Sequence, residues 1–219
     1  TYSIRNVVCA DEYAEGVDDN AFSNGSAMRA LQAASKAAAL CGEKAPAIWN
    51  TIAASLRIPR FEDGTTREYE DYDGRIIKQA DANLLAYPLG LVTNTEEIRR
   101  DLAYYEPRID AGPAMSYSIL ALQHARLGDG GKAYELFSRS YQPNRVAPFG
   151  VTAEYAGTDN CYFATGAGGM LQAVINGFCG LEITDKGIRQ LPSALPAHWK
   201  RVTVKGAGPE RKNYTKENH

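Results

Sequence analysis

The chain has 219 residues, 24 basic and 26 acidic, for a formal charge of −2. That near balance excludes a basic nucleic-acid binder and a surface built for anionic membrane as the main role. With 44% hydrophobic and 23% charged residues the chain is not disordered, and no run approaches the roughly 18 apolar residues of a membrane span, so a packed core is expected.

Thr1-Tyr2-Ser3-Ile4-Arg5-Asn6 lacks both a starting Met and the basic, apolar and small-residue order of a signal peptide, so an internal start is expected. Cys9, Cys41, Cys161 and Cys179 form no C-x-x-C pair, and His124, His198 and His219 fall in no ligand spacing. No metal site and no cofactor are expected. Disulfides are permitted by the cysteine count but not required by the spacing.

In chain order, Ala21 to Cys41 repeats small and apolar residues at three and four positions and predicts a long helix, with Asp18, Asp19 and Asn20 as cap candidates and Gly42 as a stop. Pro46 opens a second helix that runs to about Leu56, ahead of Pro59. Arg60 to Arg75 reads as a polar loop or hairpin. Lys78 to Tyr87 reads as a short helix stopped by Pro88, and Thr95 to Tyr105 as another, capped by Thr95 with Glu96 and Glu97 in its first turn. Pro113 to Leu127 and Gly131 to Tyr141 form a helix pair, and a last helix spans Ala164 to Phe178. Beyond Gly180, the segments 181–184, 187–191 and 201–205 alternate like half-buried strands, and the tail from Gly206 is expected to be loosely held.

Four patches have the residue types of a site. Val7 to Asn20 is an acidic loop before a helix; an N-capping segment explains it, and so does a general-acid carboxyl whose pKa rises beside Tyr13. Ile76 to Asp81 sets Lys78 beside Gln79, several donors suited to sugar hydroxyls, although an exposed helix start carries the same residues. Thr152 to Asn160 is a second acidic loop, with a capped turn as its plain explanation. Thr165 to Gln172 holds three glycines that allow close approach to a ligand or to another helix, and it does not follow a strand as a dinucleotide motif must.

Together and in this order, Asp11-Glu12-Tyr13 through Asn24, Ile77 through Leu85, Tyr104-Tyr105-Glu106-Pro107-Arg108 and Thr165 through Gly180 resemble glycoside hydrolase family 65, which cleaves α-glucosides by hydrolysis or phosphorolysis. The resemblance covers roughly residues 5 to 205. It implies a mainly α fold, part of an (α/α)6 barrel over residues 1–180 followed by a small β segment over 181–219. The periodicity supplies about seven helices, so the resemblance implies that the chain begins in mid-barrel. The rest of the pocket would come from more of the same polypeptide or from a complementing chain.

The resemblance also implies roles. Glu12 matches the general acid, Lys78 and Gln79 match the pair that holds the non-reducing glucose, and Tyr13 joins them as a substrate contact. The family's phosphorylases carry a Ser- and His-containing phosphate site ahead of the last glycine-rich helix. Here Thr152 to Thr165 has no His and offers Glu154 and Asp159. A carboxylate suits a water that loses its proton as it attacks, whereas two like charges about 4 Å apart repel by roughly 4 kcal/mol at an effective dielectric of 20. Glu154 is preferred to Asp159 as the base because the family's hydrolases place a Glu ahead of this helix.

The expected function is an inverting α-glucoside hydrolase releasing β-glucose from a small glucosyl disaccharide, with an α-1,2 linkage as in kojibiose suggested by the wording of the acid loop. A disaccharide phosphorylase of the same family and a non-catalytic helical binding subunit are the alternatives, although no regular 33–47-residue repeat supports the second. The expected partner is a small α-glucoside, not nucleic acid or membrane, and a periplasmic or secreted location is preferred to a cytoplasmic one.

Overall fold

A computed structural model describes residues 2–110 and 114–218. They form two compact units, Thr1–Ala111 and Gly112–His219.

In the first unit, α1 spans Ala21–Leu40. Of the three cap candidates Asn20 takes the role, its side chain accepting the Ser23 N–H at 2.8 Å. Close approach on this helix is concentrated at Gly25, where a Cβ would lie 2.6 Å from Leu85 Cδ2 and 2.9 Å from Leu91 Cδ1. The helix α2 covers Ala47–Ser55 behind Pro46. In α3, Thr95–Tyr105, the cap is Asn94 rather than Thr95, accepting the N–H groups of Glu96 and Glu97, each at 3.0 Å.

Two segments depart from the sequence reading. The stretch from Arg60 to Arg75 has one isolated bridge, Arg60 to Thr66, yet it buries Thr65, Thr66, Glu68, Tyr69 and Tyr72. Its aromatic rings enter the core beside α3, with Tyr72 stacked on Tyr105 at 6.0 Å and Phe61 against Tyr104 at 5.2 Å. Hydrogen bonds cover the polar atoms of Thr66 in the same stretch. Asp101 on α3 accepts from the Thr66 N–H at 2.8 Å and from its hydroxyl at 2.7 Å, and the Tyr105 hydroxyl donates to the Thr66 carbonyl at 2.7 Å.

The second departure is at Lys78. No helix begins there: Ile77 bridges Ile109 in parallel, and only a short 3-10 turn, Ala82–Leu85, follows. The backbone N–H of Lys78 is committed to the Asp11 carboxylate at 2.6 Å, so the acid loop holds the chain in bends here instead of a helix.

In the second unit, α4 spans Met115–Arg126 and α5 Gly130–Arg139, with Asp129 capping α5 through the Lys132 N–H at 2.9 Å. The expected start at Pro113 lies outside the described residues. A small hairpin, β1 Arg145–Val146 with β2 Val151–Thr152, had no signal in the hydropathy pattern. After it, α6 covers Ala164–Gln172 and continues as a π-helical stretch, Ala173–Phe178.

The glycines on this last helix divide by surroundings. A Cβ on Gly169 would overlap Ser118 of α4, and one on Gly177 would lie 2.9 Å from the Leu122 Cα, so both let α6 and its π-helical extension press onto α4. Gly168 faces open space. Phe178, Phe137 and Trp199 complete the packing, with Phe178 at 5.6 Å from Phe137 and 5.0 Å from Trp199.

The closing β segment consists of two antiparallel hairpins. In one, β3 Leu181–Thr184 pairs with β4 Gly187–Gln190, with Ile183 opposite Ile188. In the other, β5 Arg201–Ala207 pairs with β6 Lys212–Glu217. The tail expected to be loose is therefore a strand through Glu217. Thr203 and Thr215 sit opposite one another with hydroxyls 3.0 Å apart, a cross-strand pair that a polar composition conceals. The four cysteines are free thiols, with Cys9 and Cys179 buried. Among the described residues no helix is long and apolar enough to cross a membrane.

Candidate active site

The acid loop in the first unit is a tight turn fixed from below. Asp11 closes it, its carbonyl accepting the Ala14 N–H at 3.0 Å and its carboxylate accepting the Tyr13 N–H at 3.2 Å. The same carboxylate oxygen takes the Lys78 N–H, so one buried acid ties the loop to the segment that follows Ile77. Two further bonds run between them. The Ala10 N–H donates to Asp81 at 2.9 Å, and the Gln79 side-chain amide donates to the Ala10 carbonyl at 2.6 Å. Asp81 is itself oriented by the Asn20 side chain, which donates to it at 2.9 Å and to the Glu68 carbonyl at 3.0 Å.

This lattice of bonds brings four of the expected residues together. Glu12 projects from the turn into an ion pair with the Lys78 ammonium group. Lys78, and less strongly Gln79, hold the Glu12 carboxyl below its usual range. Gln79 is buried, and its side-chain carbonyl has no hydrogen-bond partner among the described residues. Tyr13 is more than half exposed, and its hydroxyl donates to Asp110 at 2.8 Å.

Glu154 stands in the second unit, just after β2. Its backbone is clamped by Asn144, whose side-chain amide donates to the Ala153 carbonyl at 3.1 Å and to the Glu154 carbonyl at 2.9 Å. The Ala153 N–H returns a bond to the Asn144 carbonyl at 2.8 Å. The Glu154 carboxylate accepts from Asn160 at 3.1 Å, and Asp159 lies exposed in the following turn.

Several residues that shape the site escaped sequence reasoning. Asp11 and Asp81 belong to the quoted runs but were given no role, and Glu68 falls in the stretch read as a polar loop. An acid set among Phe61, Tyr69 and Tyr72 was the available signal. Cys9, Glu68 and Asp81 are buried and place their ligand-type atoms within 4.8 Å of one another. Burial raises the pKa of all three, an effect that favours protons on the group.

The glycosyl hydrolase family 65 central catalytic domain matches residues 59–147. A kojibiose hydrolase of Mucilaginibacter mallensis is 48% identical over 215 residues, covering 97% of this chain and 32% of that protein. One of Flavobacterium johnsoniae is 50% identical over 216 residues, with the same two coverages. A protein-glucosylgalactosylhydroxylysine glucosidase of Danio rerio is 36% identical over 211 residues, 94% of this chain and 32% of that protein. The chain thus spans about a third of the length of the curated relatives it matches. A solved structure described as a kojibiose phosphorylase from human microbiome superposes with a TM-score of 0.70 at 16% identity, over 92% of this chain and 35% of that one. That likeness supports the fold: a mainly helical part of an (α/α)6 barrel closed by a small β segment.

Proposed function

Because the chain belongs to glycoside hydrolase family 65, we propose that it forms part of an inverting α-glucoside hydrolase that releases β-glucose from a small glucosyl disaccharide, kojibiose being the first candidate. The observation that carries this reading is the acid loop, where Glu12 meets Lys78 and Gln79 on a base of buried hydrogen bonds. Residues up to 180 would belong to the barrel and 181–219 to the β domain, the rest of the pocket coming from more of the same polypeptide or a complementing chain.

In this mechanism Glu12 protonates the glycosidic oxygen. Its pairing with Lys78 favours the ionised form, the wrong state for an acid. Substrate resolves the conflict. When glucose hydroxyls take Lys78 and Gln79 as donors, the ammonium group no longer neutralises Glu12, and exclusion of water raises its pKa toward the range a general acid needs. The pair thus keeps Glu12 charged while the site is empty and lets it gain its proton as glucose binds. Tyr13, exposed and anchored through Asp110, offers a face to the sugar.

Glu154 takes the proton of the attacking water. Inversion needs the two carboxyls about 6.5–9.5 Å apart so that water fits between sugar and base. Identity near one half with two kojibiose hydrolases supports hydrolysis and the α-1,2 linkage.

Proton NMR of the first product decides the reading. The reducing-end glucose contributes its own anomeric mixture, so β-glucose in excess of that mixture before mutarotation, without phosphate in the buffer, is the expected result; a phosphate requirement with glucose 1-phosphate as product refutes hydrolysis, and an initial excess of α-glucose refutes inversion.

A further inference from the structure

Beneath the acid loop lies an acid that the mechanism above does not use. Glu68 is fully buried, and no hydrogen-bond donor among the described residues reaches either carboxyl oxygen. An ionised carboxyl in that position would be desolvated with nothing in return. The groups facing it make matters worse. Asp11 and Cys9 act on it from the acid loop and Asp81 from the segment after Ile77, and Tyr69, Tyr72 and, on α3, Tyr105 bring it no positive charge. Arg75 is the cation that acts on it, and that guanidinium is exposed and engaged by Asp73 at 3.0 and 2.9 Å.

Comparison of the acids assigns the proton. Asp81 has a donor on each oxygen, from Asn20 and from the Ala10 N–H. Asp11 accepts two N–H groups on one oxygen. Glu68 accepts none, and the Asp11 carboxyl lies within its hydrogen-bonding reach.

We propose that Glu68 is a positioning residue of the acid loop: as a neutral carboxyl group it donates its proton to Asp11, and through Asp11 it fixes the turn that carries Glu12 and the backbone of Lys78. Asp11 then bonds on both sides, to Glu68 from below and to the N–H groups of Tyr13 and Lys78 above. Loss of the lower bond leaves Asp11 free to rotate and the loop without its base. The inference rests on Glu12 as the general acid.

The test compares Glu68→Gln, Glu68→Leu and Glu12→Gln in the full active protein, on the disaccharide and on glucosyl fluoride, whose leaving group needs little protonation. Gln keeps a donor and cannot ionise, so Glu68→Gln should retain kcat within about threefold, whereas Leu removes the donor and should lower kcat on the disaccharide about 100-fold, the cost of roughly 1 Å of misplacement. Glucosyl fluoride should be affected far less, a split that general loss of folded protein cannot produce. A native-minus-Glu68→Gln infrared difference spectrum at pH 8 should show the carbonyl band of a protonated carboxyl, which decides the matter even where the Leu variant does not fold.

Absence of that band, Glu68→Gln as impaired as Glu68→Leu, or one metal ion per chain in the native protein that is lost in Glu68→Gln each overturns the proposal. So does a selective loss on the disaccharide in Glu12→Gln with none in a folded Glu68→Leu. Equal losses on both substrates in Glu12→Gln overturn the acid role of Glu12 itself, and with it the proposal.

Discussion

Replacing Gly177 by Ala tests the packing that sets α6 on α4. The added Cβ would lie 2.9 Å from the Leu122 Cα and 3.4 Å from its Cβ and Cγ. Two of these atoms are fixed by the α4 backbone, so the overlap cannot be relieved by a rotamer change and one segment must move. Overpacking of this kind costs about 1–3 kcal/mol. Against it stands the gain of Ala over Gly in a helix, about 1 kcal/mol. Gly168→Ala supplies the control, since it sits on α6, is exposed and meets nothing within 4 Å. It should therefore stabilise by up to about 1 kcal/mol. The propensity gain cancels between the two variants, and their difference in urea unfolding free energy reads the steric cost alone, about 1–3 kcal/mol. Adding Leu122→Ala to Gly177→Ala should recover little, because Cα and Cβ remain. Equal stabilities of Gly177→Ala and Gly168→Ala, within about 0.5 kcal/mol, would refute the close approach.

Glu12→Gln should lower kcat on the disaccharide by about 10²–10⁴-fold. Lys78→Met should raise the Glu12 carboxyl titration seen by carbon-detected NMR in the free protein, since Lys78 is the main group holding it down; an unmoved titration would break the ion pair as an explanation. Thr66→Val removes the hydroxyl that donates to buried Asp101 at 2.7 Å and should cost about 1.5–3 kcal/mol in chemical denaturation, with no loss refuting that bond. Glu68 has a folded pKa raised above its unfolded one, so its contribution to stability is complete below the ordinary glutamate range and is lost as pH rises through the raised value; stability measured from pH 5 to 9 should fall more steeply in the native protein than in Glu68→Gln, and parallel slopes would contradict the buried proton.

What was legible in the residues divides along physical lines. Helices with a local signal were placed within a residue or two: α1 through its three- and four-residue repeat, α3 through its acidic first turn, and α5 through the period of Gly131 to Tyr141. Glu12, Lys78 and Gln79 came from a resemblance, and the acid loop does bring them together. Their backbone setting was not legible, because Lys78 is kept out of a helix by Asp11, 67 positions earlier, and no local window contains that bond. The stretch from Arg60 to Arg75 misled for a related reason. Thr65, Thr66, Glu68, Tyr69 and Tyr72 turn inward while its other charges are at the surface or paired, so average polarity hid a core segment. The strand Lys212–Glu217 was missed since its partner supplies the ordering and its composition supplies none. The glycine run of Thr165 to Gln172 reads as a close approach to a ligand or to another helix; at Gly169 the object is the neighbouring helix α4, while Gly168 meets nothing within 4 Å.

The Asn144 clamp on the second acid loop has an evolutionary consequence. Asn144 makes three bonds to this loop, all of them with main-chain atoms of Ala153 and Glu154, and the Glu154 N–H adds one to the Asn160 carbonyl at 3.3 Å. Main-chain anchoring is indifferent to which side chain projects from the anchored residue. The tie of the Glu154 carboxylate itself, to Asn160, is exposed and of little energetic weight. Position 154 can therefore exchange one side chain for another while the loop keeps its course, so that under the proposed role of Glu154 a lineage built on this scaffold could trade one attacking molecule for another with the loop intact.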